Sequence, residues 1–483
     1  MVKVLILNPP SLFSKNVVRD LIYGCWCKGK RIGGTHTPPI NLLYVASVLY
    51  KEGHLITFLD ALAEQKTITE ICNIAQRNDV IIISTTSMSF IEDVGILREI
   101  KRKKPSIISV LFGSHPTFMP ESTLRMDPVD IIIRREPEYI IRDVINSLEK
   151  GDGSWKKVPG IGYTVDGNII LNELYPLIEN LDELPVLMRE LLPRDIDYFN
   201  PLVRKIPYTT MMTSRGCPAQ CTFCTVPYFY GNKIRSRSTD SIVNELELIL
   251  QQGYREVWFR DETFTAFKKR NIDLCHGILK RGIEISWICN ARVGSVDREM
   301  LDLMKKAGCH LIKIGVESGD QVILDNIRKG ITVDQTRDLF RITRELGLDT
   351  HAHMMLGCPG ETDATIKNTI SFIKEIEPST VSFGVCTPYP GTDLFKSISQ
   401  EHPDIQDGSA CDFSRLHESS FFNEFFTRMS SDELSGWVTK AYIIYYFRFS
   451  YVIKTLKRIK SIDELKRVIL AGTNVFQFAI GRD

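Results

Sequence analysis

The chain contains no uncharged apolar run approaching the roughly 18–20 residues of a membrane span, so nothing in it reads as a transmembrane segment. It carries no excess of charge: 60 Lys and Arg against 59 Asp and Glu leave a net charge of +1. That balance gives no electrostatic case for nucleic acid as the main partner. Gly-x-Gly-x-x-Gly and Walker loops are missing, so neither a dinucleotide nor a nucleoside triphosphate is indicated. The start, Met1-Val2-Lys3-Val4-Leu5-Ile6-Leu7, reads as a strand rather than a secretion signal. Most of the twelve cysteines are scattered, which fits a reducing cytoplasm better than a disulfide framework.

At 483 residues, 43% hydrophobic and 25% charged, the chain has room for two or three soluble globular domains. Its chemically loaded stretch is Arg215-Gly216-Cys217-Pro218-Ala219-Gln220-Cys221-Thr222-Phe223-Cys224. Three cysteines on one short loop can close on one face of an iron–sulfur cube. A cubane takes four ligands, so one iron is left without a protein thiolate. A zinc loop is the bland alternative, but it needs a fourth Cys or His at regular spacing, and no second Cys-x-x-Cys pair exists. The loop resembles that of the radical S-adenosylmethionine (SAM) enzymes, including the aromatic Phe223 before the last cysteine. The resemblance implies a [4Fe-4S] cluster on Cys217, Cys221 and Cys224, with SAM chelating the vacant iron through its amino and carboxylate groups.

Residues 1–150 alternate strand and helix signals. Apolar runs at 4–7, 55–59, 80–84, 107–112 and 129–133 are separated by helix-period segments at 41–51, 68–76, 91–103 and 138–149. This order predicts a doubly wound, Rossmann-like α/β domain whose ligand site lies at the carboxyl ends of its strands. That rule nominates Asn8-Pro9-Pro10, Ser84-Thr85-Thr86-Ser87 and Gly113-Ser114-His115. The hydroxyl run equally reads as a cap for the next helix, and His115 as a satisfied loop histidine. The segment resembles the cobalamin-binding domain fused to many radical SAM enzymes. The matching pieces are Leu7-Asn8-Pro9-Pro10, Gly33-Gly34-Thr35-His36-Thr37-Pro38-Pro39, Gly113-Ser114-His115-Pro116 and Glu136-Pro137-Glu138. Cobalamin is therefore expected against Asn8, Pro9, Ser84, Thr85, Ser87, Gly113 and His115. The Asp-x-His-x-x-Gly signature is missing, so no protein histidine is expected below the cobalt. The long loop from Ser11 to Pro39, with Cys25-Trp26-Cys27 and the basic residues 28–31, reads as an active-site cover.

Residues 151–207 read as a hairpin at 160–171 followed by a proline-punctuated linker. Residues 208–395 hold six strand signals, at 208–214, 256–260, 285–290, 310–317, 349–356 and 380–387, with helices between. They predict a partial (β/α)6 barrel with its site at the carboxyl strand ends. The match to the radical SAM core implies Asp261 and Glu262 at the SAM ammonium and Arg292 at its carboxylate. It also places Glu317 and Ser318 for the ribose and Gly357 where backbone approaches the adenine. His351 and His353 share a strand face and read as polar barrel lining rather than catalytic groups. Residues 396–483 are expected to form a mainly helical tail over the barrel opening. Within it, residues 441–451 read as a helix packed on the barrel rather than lying on a membrane surface.

The resemblance thus implies a cytoplasmic, cobalamin-dependent radical SAM enzyme. It would methylate an unactivated carbon or phosphorus of a small-molecule substrate and draw electrons from a donor such as flavodoxin or ferredoxin. A cobalamin-dependent cyclase or oxidative rearrangement enzyme, as in the anaerobic branch of chlorophyll-type ring formation, fits the same motifs. A non-catalytic cluster or cobalamin sensor fits them less well, because the run of SAM-contact positions is complete. Cys221→Ala is expected to lose visible cluster absorbance and 5′-deoxyadenosine release together. Retention of both would remove the ligand role of Cys221.

Overall fold

The protein's computed structural model describes residues 1–11, 17, 19, 34–196, 198–409, 411, 423–459 and 461–479. The Cys25-Trp26-Cys27 loop with its basic run, expected to cover the site, lies outside the described residues, as does most of the aromatic stretch at 413–426.

Five strands, β1 (Lys3–Asn8), β2 (Leu55–Asp60), β3 (Val80–Thr85), β4 (Ile108–Gly113) and β5 (Ile131–Ile133), run parallel in the order β2-β1-β3-β4-β5. The central strands are near-continuous branched apolar runs because both of their faces are covered. Val4, Ile6, Ile82 and Val110 pack with the helices Ile40–Lys51 and Pro137–Lys150. Leu5, Leu7, Ile81 and Ile83 pack with Ile68–Ala75 and Phe90–Lys103. This is the doubly wound domain expected from the strand and helix order. The hairpin β6 (Ile161–Val165) and β7 (Asn168–Leu171) adds antiparallel to β5 and completes a seven-stranded sheet. Its turn residues Asp166 and Gly167 both have positive φ, 48° and 79°, as a two-residue turn matched to strand twist demands.

The second sheet begins at β8 (Tyr208–Met211). The strand stops there, short of the expected residue 214, and two residues on, Asp261 captures the backbone amide of Thr213 at 2.6 Å. The freed segment β9 (Ser214–Arg215) pairs instead with β10 (Arg235–Ser236). Then follow β11 (Glu256–Phe259), β12 (Ser286–Ala291), β13 (Cys309–Glu317), β14 (Asp349–Leu356) and β15 (Thr380–Val385). The order is β15-β14-β13-β12-β11-β8, all parallel, with helices between. This is the partial barrel. Its edge strand β15 is covered by the tail helix Ser431–Tyr446, so residues 441–446 pack on the barrel as expected. Val381 N donates to Tyr446 Oη at 2.9 Å and Phe383 N to Tyr442 Oη at 3.2 Å. Tyrosine hydroxyls thus supply the partners that an open sheet edge leaves wanting.

The two sheets are joined through Arg215, which lies at the head of the cysteine loop and is fully buried. Its guanidinium pairs with Glu136 at 3.1 Å and Glu138 at 2.5 Å, the two carboxylates that open the helix Pro137–Lys150. Arg235 shares Glu136 at 2.8 Å. Burial alone would raise the Glu136 carboxyl, but Arg215, Arg235 and the Ile178 amide hold it below its ordinary 4.5. A carboxylate held down in the fold adds stability above its ordinary range and loses it as pH falls below 4.5. Glu138→Ala leaves Arg215 buried with one carboxylate fewer and is expected to cost about 3–5 kcal/mol in urea unfolding at neutral pH. Glu136→Gln should flatten the acid-side loss. A parental midpoint for Glu138→Ala would show the clamp to be dispensable.

Candidate active site

A cavity of about 1530 Å³ runs through the barrel, from Arg260, Glu262, Arg292 and Glu317 at the carboxyl ends of the strands to Asp349, Ser379 and Thr380 at their amino ends; parallel barrels present their chemistry at the carboxyl ends. Cys217, Cys221 and Cys224 all line it. The chain enters the loop through Gly216, at φ 93°, where a Cβ would sit 2.3 Å from Lys233 O; only glycine passes there. The loop is then tied down from three directions. Cys217 N donates to Gly231 O at 3.3 Å, Thr222 N to Ile327 O at 3.1 Å, and Leu394 N to Thr222 O at 2.8 Å. Among the described residues, no three His, Cys, Asp or Glu side chains converge closely enough to hold one ion. A cubane does not ask for that, since its thiolates bind different irons.

Around the thiols stands a polar collar. Thr263 Oγ1 lies 3.6 Å from Cys217 Sγ, and Arg292 Nη1 donates toward Cys221 Sγ at 3.7 Å. Arg292 also reaches Lys329 O, and Lys329 Nζ pairs with Glu317 at 2.6 Å. Glu317 sits where β13 shifts register against β14, at φ 65°, which turns its carboxylate onto the cavity wall. Burial, reinforced by Cys221 and Cys217, pushes the Cys224 thiol up to about 12; metal binding to such a thiol must displace its proton. Glu262 also lines the cavity. Burial first, then the neighbouring Asp261 charge, raises its carboxyl to about 8.

Three expected contacts lie elsewhere. Asp261 is fully buried in the barrel wall and takes bonds from Thr213 N, Thr213 Oγ1 and Ser214 Oγ, with Arg270 at 3.5 Å. It anchors the strand end rather than facing the cavity beside Glu262. Ser318 Oγ bonds Thr369 at 3.0 Å and accepts from Asp320 N at 3.1 Å, so it builds the next helix start. Gly357 is packed beneath the tail, its carbonyl accepting from Asn423 Nδ2 at 3.0 Å. Conversely, sequence reasoning missed Thr263, Lys329 and Arg260. No spacing or periodicity marks them; each comes to the site from a strand end or loop whose course depends on the folded partial barrel. His351 and His353 do line the cavity. Their Nδ1 atoms bond Thr380 at 2.7 Å and Ser382 at 2.9 Å, and burial, with Lys313, takes His351 down to about 3.

The first sheet approaches this cavity through Tyr389, which lines it, and through Arg260. Met88, after β3, lies 3.4 Å from the Tyr389 hydroxyl and packs in one cluster with Phe223. A small crevice lined by Asn8, Thr37, Asn41 and Ser84 is bounded on its far side by Arg260, which also lines the large cavity. Ser84 Oγ and Asn41 Oδ1 are buried there without a hydrogen-bond partner among the described residues. Such groups call for a polar ligand, and the many amides of a corrinoid meet that demand. The other nominated residues are engaged locally. Asn8 Nδ2 donates to Asp60 at 2.7 Å, Pro9 O accepts from Arg19 at 2.7 Å, and Thr85 Oγ1 donates to Asp93 at 2.7 Å. His115 bonds Ser87 at 3.2 Å and stacks on Phe90 at 4.0 Å, and burial keeps it neutral by lowering it to about 3. Gly113, at φ 128°, lets β4 approach Thr85 O, which a Cβ would meet at 2.0 Å. These residues shape the strand ends; the unpartnered groups beside them are the better ligand contacts.

Comparison with known proteins bears on this geometry. The model of the Radical SAM superfamily matches residues 211–373, and that of the B12 binding domain matches residues 32–145. An uncharacterized methyltransferase of Pyrococcus horikoshii is 32% identical over 431 residues, covering 88% of this chain and 92% of that protein. The anaerobic magnesium-protoporphyrin IX monomethyl ester cyclase of Rubrivivax gelatinosus is 27% identical over 387 residues, covering 77% of this chain and 68% of the relative. The solved structure of the cobalamin-dependent S-adenosylmethionine radical enzyme OxsB, with aqua-cobalamin and S-adenosylmethionine bound, has a TM-score of 0.71 at 19% identity. The likeness covers 99% of this chain and 72% of that one, and shows a shared fold.

The raised Glu262 carboxyl has a measurable consequence. A group raised in the fold contributes stability below its ordinary 4.5, and that contribution is lost as pH climbs through about 8. Glu262→Gln cannot ionise, so the cofactor-free variant is expected to gain roughly 2–4 kcal/mol over the parent at alkaline pH and little under acid. Urea unfolding across pH reads the difference. Parallel curves for the two proteins would show Glu262 to titrate ordinarily.

Proposed function

Because this chain belongs to the radical SAM enzymes that carry a B12-binding domain, we propose that it transfers a methyl group to an unactivated carbon or phosphorus of a small-molecule substrate. The supporting observation is a juxtaposition: three thiols and a polar collar line one cavity, and the crevice at the carboxyl ends of the first sheet shares Arg260 with it. In this reading Cys217, Cys221 and Cys224 hold the [4Fe-4S] cluster, and the unpartnered Ser84 Oγ and Asn41 Oδ1, at a crevice of about 30 Å³, would meet an amide edge of cobalamin rather than enclose it. When bound, these groups supply reductive cleavage of SAM and a transferable methyl group.

The chain's own residues supply placement. Glu262, whose carboxyl is raised by burial and the neighbouring Asp261, would receive the SAM ammonium in its ionised form. Arg292, fixed by Lys329 O, meets the SAM carboxylate. Glu317, held by Lys329, faces the ribose, and Phe223 with Met88 keeps water from the thiol face. The oxygen-sensitive cluster and its electron supply from a flavodoxin or ferredoxin suit a reducing cytoplasm.

The cyclase relative supports a second reading, radical ring closure or oxidative rearrangement without methyl transfer. Product analysis separates the two. Anaerobically prepared protein loaded with cobalamin is expected to form S-adenosylhomocysteine alongside 5′-deoxyadenosine when substrate turns over. Formation of 5′-deoxyadenosine alone would favour the second reading, and cleavage of no SAM under a strong reductant would leave a cofactor-binding sensor.

A further inference from the structure

The tail helix Phe449–Arg458 has no buried residue. Phe449, Val452, Ile453 and Leu456 follow the i, i+3, i+4, i+7 spacing of one helix face, and they are 81%, 44%, 36% and 59% exposed. The opposite side of the helix is the one bound to the barrel. Tyr451 Oη donates to Ser379 O at 3.4 Å, Arg458 Nη1 to the same carbonyl at 3.4 Å, and Lys454 pairs with Glu377 at 2.7 Å. The apolar stripe is therefore turned outward by contacts that hold the helix in place. Elsewhere on the tail Phe447, which meets Phe476 at 6.0 Å, and Ile462 and Ile469 are exposed as well.

Two further observations say what this face meets. The first is charge: residues 447–470 carry seven Lys and Arg against two Asp and Glu, in a chain whose net charge is only +1. Lys457 and Lys466 are exposed among the apolar residues. An apolar face with basic flanks matches an anionic lipid surface, whereas two copies packed face to face would bring basic onto basic. The second is continuity: Val452, Leu456, Val475 and Phe476 also line the large cavity, so the apolar rim runs from the outside into the barrel. Among the described residues no helix is long and apolar enough to cross a bilayer.

We infer that the tail docks in the interface of an anionic phospholipid bilayer and opens the barrel cavity to an apolar, membrane-borne substrate. The substrate class rests on the proposed methyl transfer; the docking does not. The helix lies in the headgroup plane with Phe449 and Ile453 inserted and Lys457 and Lys466 against phosphates, which leaves the Val452 and Leu456 rim at the lipid boundary.

Flotation of the cofactor-loaded, full-length protein with vesicles tests this. Binding to mixed phosphatidylcholine and phosphatidylglycerol vesicles is expected to exceed binding to phosphatidylcholine alone by at least about tenfold and to weaken with salt. Phe449→Glu/Ile453→Glu and, separately, Lys457→Glu/Lys466→Glu should each lose that binding while keeping the cluster spectrum of the parent. Equal binding by parent and variants, or no binding by the parent, would overturn the inference. So would a parent dimer on size exclusion that the Phe449→Glu/Ile453→Glu variant converts to monomer. Parent protein that binds vesicles yet never cleaves SAM would sink the functional reading and leave the docking intact.

Discussion

Everything at the active site is referred to one buried guanidinium. Arg215 stands two residues before Cys217, across Gly216, and it is clamped by Glu136 and Glu138 at the start of a helix of the other domain. Its plane also lies against Tyr44 at 5.6 Å and Tyr230 at 5.3 Å, so carboxylates and rings fix its orientation together. Buried ion pairs of this kind add little net stability, because desolvation offsets most of the attraction. Their consequence is positional: breaking one partner is costly, so the cysteine loop has one orientation relative to the strand ends that face it. A reaction that passes a group between two cofactors depends on that relation.

The barrel wall follows the same logic. Asp261 would be an expensive buried charge, but it gathers two hydroxyls, an amide and Arg270. By doing so it bends the chain off β8 at the point where the cysteine loop must leave the sheet. At the opposite edge, β15 pairs only with β14 among the described residues, and the tyrosines of the tail helix take backbone groups on its other side. The tail is thus an integral wall of the cavity. The same helices that complete the barrel leave their outer faces apolar and basic.

Much of this was readable in advance. The doubly wound sheet was legible because fully buried parallel strands need unbroken runs such as Val80-Ile81-Ile82-Ile83; the six barrel strands, which carry polar residues such as His351 and His353, were legible because they alternate with helix-period segments. The cysteine loop was legible because its three thiols lie within eight residues of one another, Cys217 to Cys224, so local spacing alone brings them to one cavity. Asp261 and Glu262 show where such reading stops. They are adjacent and chemically alike, yet one holds the wall together and the other faces the cavity. Adjacent side chains at a strand end point to opposite sides, and local pattern does not say which side holds the cavity.

Sequence alone therefore established the three thiols, the two sheets and the order of domains, since these follow from near-neighbour spacing and hydrophobic period. The pairing of Arg215 with Glu136 and Glu138, the collar of Thr263, Arg292 and Lys329, and the outward stripe on the tail were settled by folding. Each depends on segments far apart in the chain being brought to hydrogen-bond distance or left uncovered. Charge and hydrogen-bond energies act at a few ångströms, and a linear sequence does not record which remote residues come that close.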